Sequence, residues 1–238
     1  MSKIALICSK ELGTYLSSPM AYIVSAIFIA LSGTSFTTYL AQTSYLDTSI
    51  QGFLEAAQFL ILLFSTLLTM RLISEERKLG TWELLLTAPL KDHEIVLGKF
   101  FSSLIVLTGM LIMTLYFPVL LMIFGDPDTG PILTSYLGLL LLGSASLAIG
   151  IFASSLTSNQ IVSSVVACGM LFGLWFIGIF GNLIPQPLGE ILSYFSLSQH
   201  FPSFVRGIID TRDVIYYISV TAIFLFLSVR SIETERWR

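Results

Sequence analysis

The chain has 238 residues, of which 55% are hydrophobic and only 11% are charged, and its net charge is −3 with a mean hydropathy of +0.86. A soluble domain carries about 25% charged residues, so this chain has too little polar surface to cover a water-soluble globule. The composition predicts a single all-α membrane domain over residues 1–238, and no nucleic acid partner is expected.

The apolar segments predict six membrane-spanning helices, since a helix needs about 20 apolar residues to cross the hydrocarbon core. A long uncharged run is divided into two spans by the polar segment 154–160. The last span is short and is expected to begin in the membrane interface. The predicted spans cover 21–40, 53–72, 100–124, 132–153, 161–183 and 214–229.

The lysine and arginine residues predict the orientation of these spans. Six spans place both termini on one side of the membrane, and only Arg206 and Arg212 lie on the other side. Cytoplasmic segments carry the excess of Lys and Arg, so we expect cytoplasmic termini and a location in the inner (plasma) membrane. The inner residues are Lys3, Lys10, Arg71, Arg77, Lys78, Lys91, Lys99, Arg230, Arg236 and Arg238.

Two segments outside the spans have a mixed character. Segment 2–17 carries apolar residues at helical spacing, with Lys3, Lys10 and Glu11 elsewhere on the helix. It predicts an amphipathic helix in the cytoplasmic interface, with a short helix packed on the protein as the alternative. Segment 184–213 is apolar despite its prolines. It predicts an outer re-entrant region of short helices, with a folded outer cap as the alternative.

A dense group of charges lies between spans two and three, where ten charged residues fall within 71–99. Such an island in an apolar chain must lie in water beside the membrane, where a soluble partner could bind it. Span two is expected to continue into this region and to stop at Gly80. Thr81 can then cap a short amphipathic helix that contains Trp82 and ends at Pro89.

The start of span three completes this region. Asp92 is the expected N-cap, and Glu94 lies in the first turn, where the helix dipole favours a negative charge. A solvated connector is the alternative for the whole region. The ordered caps, and a tryptophan and three leucines in a cytoplasmic loop, favour an element that docks against another protein.

Several kinds of chemistry are missing from the sequence. The predicted span interiors contain no Asp, Glu, Lys, Arg or His, which argues against ion-coupled transporters, proton pumps and voltage sensors. The pair at 98–99 lacks the other residues of a phosphate-binding loop, and His93 lacks the second histidine of a zinc motif. Cys8 and Cys168 are expected to be reduced, so no disulfide, metal site or catalytic group is predicted.

Small residues at four-residue spacing mark two helix faces that can approach a neighbour closely. One runs through Ser146, Gly150 and Ser154 in span four, and the other through Gly169 and Gly173 in span five. Contacts within one subunit are the favoured use, and contacts between subunits remain open.

Two stretches of the chain resemble the signature of ABC-2-type permeases, the membrane subunits of type-two ABC exporters. They are Ile73-Ser-Glu-Glu-Arg-Lys-Leu-Gly-Thr-Trp-Glu-Leu-Leu-Leu-Thr-Ala-Pro-Leu90 and Glu94-Ile-Val-Leu-Gly-Lys99. Segments 17–24 and 204–216 resemble most the gliding-motility-type (GldF-like) branch. The resemblance covers essentially the whole chain, and 71–99 is its most specific part.

The resemblance implies a six-span subunit with an N-terminal interfacial helix, a cytoplasmic coupling helix between spans two and three, and short outer helices between spans five and six. It also implies a second permease subunit, as a homodimer or a related heterodimer, on a dimer of ABC ATPase subunits. ATP and Mg would bind in that ATPase, and this chain would hold no cofactor. The residues implied to couple to the ATPase are Arg71, Glu75, Glu76, Arg77, Gly80, Thr81, Trp82 and Glu83.

The function implied by the resemblance is that of a non-catalytic permease in an ATP-driven exporter. The alternative is a mechanical or scaffolding membrane subunit that an ABC ATPase drives without moving a substrate. Uncharged spans lined by Ser, Thr, Tyr and Phe fit lipids, polysaccharides, hydrophobic compounds or no substrate, so the sequence predicts no particular cargo.

Overall fold

A computed structural model of the chain describes residues 3–42, 51–82, 90–125, 127–181 and 183–236. Within these ranges the regular structure is helical, and no strand is present. Thr81 and Trp82 are also helical. In chain order the helices are α1 (Lys3–Ser17), α2 (Pro19–Gln42), α3 (Gln51–Thr69), α4 (Ser74–Lys78), α5 (Asp92–Thr114), α6 (Tyr116–Phe124), α7 (Thr129–Ser155), α8 (Gln160–Gly181), α9 (Leu188–Tyr194), α10 (Pro202–Val205) and α11 (Thr211–Arg236).

Six helical segments of the described chain are long and apolar enough to cross a membrane, which confirms the predicted all-α, six-span fold. They are α2, α3 with α4, α5 with α6, α7, α8 and α11. Helices satisfy their own backbone hydrogen bonds, so they can cross a medium that offers none. The chain is a multi-pass membrane protein.

The last span is longer than the predicted segment 214–229. Helix α11 begins at Thr211 and reaches Arg236. The Asp210 carboxylate accepts a hydrogen bond from the Arg212 backbone N–H at 2.9 Å, which satisfies one of the free donors at the helix start. Hydropathy detects only the apolar middle of such a helix, so its polar ends escape a prediction based on composition.

Span three begins earlier than the predicted segment 100–124 and is interrupted before its end. Helix α5 starts at Asp92, and Leu115 separates it from α6. Pro118 has no N–H to donate to the Thr114 carbonyl, so the regular hydrogen-bond ladder cannot continue. The Leu115 N–H bonds the Ile112 carbonyl at 3.1 Å, which tightens the turn at the break.

Helix α7 is the centre of the helix bundle. It packs against α3, α5, α8 and α11, and much of its length is buried. Small residues allow this close approach: a Cβ on Gly150 would lie 2.0 Å from Thr69 Oγ1, and one on Gly143 would lie 2.3 Å from the Leu107 side chain. The small-residue face of α7 therefore serves packing within the chain, as expected.

The small-residue face of α8 is not used in the same way. A Cβ added at Gly169 or Gly173 would meet no heavy atom within 4 Å in the part of the chain that the structure describes. The favoured use of this face, contact within one subunit, is therefore wrong for these two glycines. The face is open to lipid or to another protein chain.

The segment between α8 and α11, which is the predicted outer region, contains the short helices α9 and α10, joined by mostly buried non-helical residues. The Leu197 N–H donates to the Leu174 carbonyl at 3.2 Å, and the Tyr217 hydroxyl donates to the Leu197 carbonyl at 2.9 Å. The Tyr216 hydroxyl donates to the Phe195 carbonyl at 2.7 Å. Such pairing is what irregular backbone at membrane depth would need, and insertion of this region into the outer leaflet stays a prediction.

A buried histidine–aspartate pair joins this outer region to α11. His200 Nδ1 lies 2.7 Å from Asp213 Oδ1, and His200 Nε2 lies 2.9 Å from the Tyr194 carbonyl oxygen. The His200 ring also stacks on Tyr216, with ring centroids 3.8 Å apart. The pair fixes the end of α9 against the first turn of the last span.

We expect Gly150→Ala to destabilise the fold by about 1–3 kcal/mol, because overpacking forces neighbouring atoms apart. Thr69 cannot move aside freely, since its Oγ1 donates to the Ser65 carbonyl at 2.7 Å. Gly169→Ala is the matched control, with an open Cβ position on another spanning helix. Thermal unfolding in detergent should show a lower midpoint for Gly150→Ala alone, and equal midpoints would contradict the α3–α7 contact.

Candidate functional site

The predicted coupling region begins where the chain leaves span two. Helix α3 ends at Thr69, a turn follows, and α4 runs over Ser74–Lys78 before the chain reverses at Gly80. Gly80 has a φ of +71°, a left-handed conformation that favours glycine. The Leu79 and Gly80 N–H groups bond the Glu75 and Arg77 carbonyls, so Gly80 stops the helix as predicted.

The turn between α3 and α4 is held by a serine of span four. Ser154 Oγ accepts hydrogen bonds from the N–H groups of Ile73 and Ser74, both at 3.1 Å, and donates to the Met70 carbonyl at 3.2 Å. All three hydrogen bonds replace helical ones that the turn cannot make. The end of α7 therefore fixes the start of α4, a role that sequence analysis does not assign to Ser154.

A buried lysine lies beneath α4. Lys99 belongs to α5 and its side chain is 0% exposed. Its Nζ lies 2.9 Å from Glu11 Oε1, 2.9 Å from Glu76 Oε2 and 2.7 Å from the Leu72 carbonyl oxygen. Three oxygens thus surround an ammonium group that has three protons to place. The cluster joins α1, α4, α5 and the turn after α3.

Glu11 is buried, although the sequence places it away from the apolar residues of the first helix. A carboxylate can be buried only if it is paired, and Lys99 supplies the pair. Lys10 lies on the rim of the same cluster, with its Nζ 3.5 Å from Glu76 Oε1. The two glutamates and two lysines together carry no net charge.

Arg71 fixes the other end of α1. Its guanidinium carbon lies 4.8 Å from the centre of the Tyr15 ring, and its Nη1 donates to Ser18 Oγ at 3.2 Å. The Tyr15 hydroxyl donates to the Leu68 carbonyl at 2.7 Å. Burial raises the pKa of Tyr15, and Arg71 opposes that shift, so the hydroxyl keeps its proton and remains a donor.

The tip of the region brings Arg77 and Trp82 together. The Arg77 guanidinium carbon lies 5.6 Å from the Trp82 ring centre, and Trp82 is buried. Thr81 Oγ1 donates to the Glu76 carbonyl at 3.2 Å, so it ties the chain after Gly80 back to α4. Residues 83–89 lie outside the described residues, so Glu83 and the rest of the predicted short helix stay predictions.

Span three is capped differently from the prediction. Lys91 is the N-cap, with extended backbone, and Asp92 is the first helical residue. The Lys91 N–H donates to Glu94 Oε2 at 2.9 Å, so Glu94 reaches back from the first turn to a free backbone donor. Glu94 therefore lies where the sequence places it, but the cap falls one residue earlier.

A cleft of about 430 Å³ separates α1 from α4 on the exposed side of the buried lysine. Its wall includes Lys10, Thr14, Arg71, Glu75 and Thr81. Both signs of charge line it, and it has no catalytic constellation among these residues. The cleft is a surface feature that a protruding segment of another protein could enter.

The structure thus brings four of the predicted coupling residues, Arg71, Glu75, Glu76 and Thr81, to one cleft. Arg77 and Trp82 pair beside Gly80. Sequence analysis misses Glu11, Lys99 and Ser154 as members of the same site. Lys99 could have indicated this site, because it lies directly before the apolar residues of a span. A lysine that is buried there needs an acidic partner.

A family model described as ABC-2 family transporter protein matches residues 5–235. The chain belongs to the ABC-2 transporter family. Members of this family are typically non-catalytic membrane subunits, and membership implies partnership with an ABC ATPase. Among curated proteins, no match to this ABC-2 chain was found.

In this ABC-2 chain, Ser154→Ala should destabilise the fold by about 1–3 kcal/mol for each buried N–H that loses its acceptor. Both donors, on Ile73 and Ser74, belong to buried residues. Ser146→Ala is the matched control, since within the described residues the buried Ser146 Oγ bonds only the Leu142 carbonyl of its own helix. Thermal unfolding in detergent tests the difference, and a Ser154→Ala midpoint no lower than that of Ser146→Ala would contradict the assigned role.

Proposed function

We propose that this chain is the membrane-spanning permease subunit of an ATP-driven ABC exporter. A separate ABC ATPase dimer binds ATP and Mg, and this chain converts the ATPase movement into a change of helix packing. The observation that carries the proposal is that α4 is bonded at once to α1, α5 and α7, through Glu76 and through Ser154. A displacement of α4 therefore acts on three other elements.

The surface of this region supports its use as a docking site. Leu79 is 67% exposed beside Gly80, and Lys78 is exposed next to it. An exposed leucine among charged side chains is a contact that a soluble partner can cover, and apolar centres with polar rims are typical of protein interfaces. The α1–α4 cleft lies on the same surface.

The assembly and its placement are part of the same proposal. Both termini and residues 71–99 lie on the cytoplasmic side, and the re-entrant region 184–213 lies on the outer side of the inner membrane, as the distribution of Lys and Arg favours. A second permease subunit, identical or related, completes the membrane part. The open small-residue face of α8 at Gly169 and Gly173 supports a contact with that subunit.

Export, rather than import or a purely mechanical role, is proposed from the resemblance of 71–99 to type-two exporters. The gliding-motility-type branch is proposed from segments 17–24 and 204–216. Substrate-stimulated ATP hydrolysis by the assembled complex would support transport. Hydrolysis that no cargo stimulates would favour the mechanical subunit.

Gly80→Val tests the coupling region without altering any charge. A Cβ at Gly80 would meet nothing within 4 Å among the described residues, so the expected effect comes from the left-handed backbone, which costs a residue with a side chain about 1–2 kcal/mol. We expect the bend to shift, and the amount of ABC ATPase that co-purifies with the tagged chain to fall about tenfold.

Gly13→Val is the matched control, because Gly13 also has open space at its Cβ position but lies within α1. It should retain the ATPase. Full ATPase binding and full ATP-dependent activity in Gly80→Val would show that the bend is a passive connector.

A further inference from the structure

Lys99 cannot touch the ATPase, or any other molecule, in this structure. Its side chain is 0% exposed, beneath the turn after α3 and behind Glu11 and Glu76. Any effect of Lys99 on coupling must therefore pass through the groups that it holds. Lys99 differs in this respect from Lys78 and Leu79, whose exposed side chains a partner could contact directly.

The contacts of Lys99 are distributed over different elements. One carboxylate comes from α1, the other comes from α4, and the third oxygen belongs to Leu72 in the turn between α3 and α4. The backbone of α1 also lies close to α5, since a Cβ on Gly98 would lie 3.3 Å from the Ile4 carbonyl oxygen. One ammonium group of span three therefore sets where α1 and α4 lie relative to each other.

We propose that Lys99 is a positioning residue that joins α1 and α4 into one rigid body on span three. This rests on the proposed function: an ATPase that displaces α4 then displaces α1 and α5 with it. Without the lysine, α4 remains attached to span four through Ser154, and its link to α1 is reduced to the exposed Lys10, 3.5 Å from Glu76. Binding of the ATPase survives, and transmission of its movement to span three is lost.

The Glu11–Lys99 ion pair can be made neutral as a unit, and the remaining carboxylate, Glu76, then loses Lys99 at 2.9 Å but keeps a lysine beside it. Glu11→Gln together with Lys99→Met makes both groups neutral, and Glu76 keeps Lys10 at 3.5 Å. Replacing a buried ion pair by neutral groups is often neutral or stabilising, whereas removing one partner is not. A loss of coupling in the double variant is therefore separable from a loss of fold, which thermal unfolding reports.

The first measurement is the distance between α1 and α4 within this chain. Spin labels on Ser9→Cys and Lys78→Cys, both exposed positions, report it after Cys8 and Cys168 are replaced by serine. In nanodiscs, the parent chain should give one narrow distance distribution. The double variant should give a broad one at an unchanged unfolding midpoint. Lys91→Met, which removes an exposed charge from the start of span three, should behave like the parent.

The second measurement uses the complex with the ABC ATPase that co-purifies with the chain. The double variant should retain the ATPase, while the ATP-dependent change in the distance across the membrane part falls about fivefold or more. A narrow distance distribution together with full coupling in the double variant would overturn the positioning role. If the double variant does not fold, Glu11→Met alone decides, since it removes the α1 oxygen from Lys99 while Glu76 still pairs the ammonium group: an unchanged distribution overturns the role.

Failure of the proposed function gives a different result. A parent chain that binds no ABC ATPase would remove the proposed function, and the distance measurement on the isolated chain would still decide whether Lys99 positions α4. A parent chain that binds the ATPase, with a double variant that matches it in both measurements, removes the positioning role alone.

Discussion

Burial of the Lys99 charge is the constraint on which the arrangement of α1, α4 and the turn after α3 depends. Moving an ammonium group out of water costs several kcal/mol unless nearby oxygens replace its hydration. Here Glu11, Glu76 and the Leu72 carbonyl do so, all within 3 Å. Because these oxygens belong to three separate elements, satisfying one charge requires α1, α4 and the turn after α3 to converge on span three.

A second constraint is that backbone N–H and C=O groups outside the helices need hydrogen-bond partners. It determines how the elements are linked at both ends of the bundle. At the end of the bundle near α4, Ser154 of span four bonds the N–H groups that the α3–α4 turn leaves free. In the outer region, the hydroxyls of Tyr216 and Tyr217 bond carbonyls between α9 and α10. In each case a spanning helix supplies the partner, so a local irregularity becomes a fixed link between elements.

The features of this structure that the sequence predicts are those that depend on residues close together along the chain. Runs of about 20 apolar residues predict the six spans, and Gly80 predicts the stop because few other residues adopt its left-handed conformation. The pairing of Glu11 with Lys99 escapes prediction, since the two are far apart in sequence and no local pattern connects them. The sequence predicts only a packing role for Ser154 for the same reason: its partners, Ile73 and Ser74, come close to it only after folding.

Photo-cross-linking from Leu79 tests the central claim, that an ABC ATPase acts on this chain through the bend after α4. A cross-linking amino acid at Leu79, 67% exposed, is compared in intact cells with one at Ile208, 58% exposed in the outer region. We expect a cross-link to the ABC ATPase from position 79 and none from position 208. An ATPase that co-purifies with the chain but never cross-links from position 79, or one that cross-links from position 208, would contradict it.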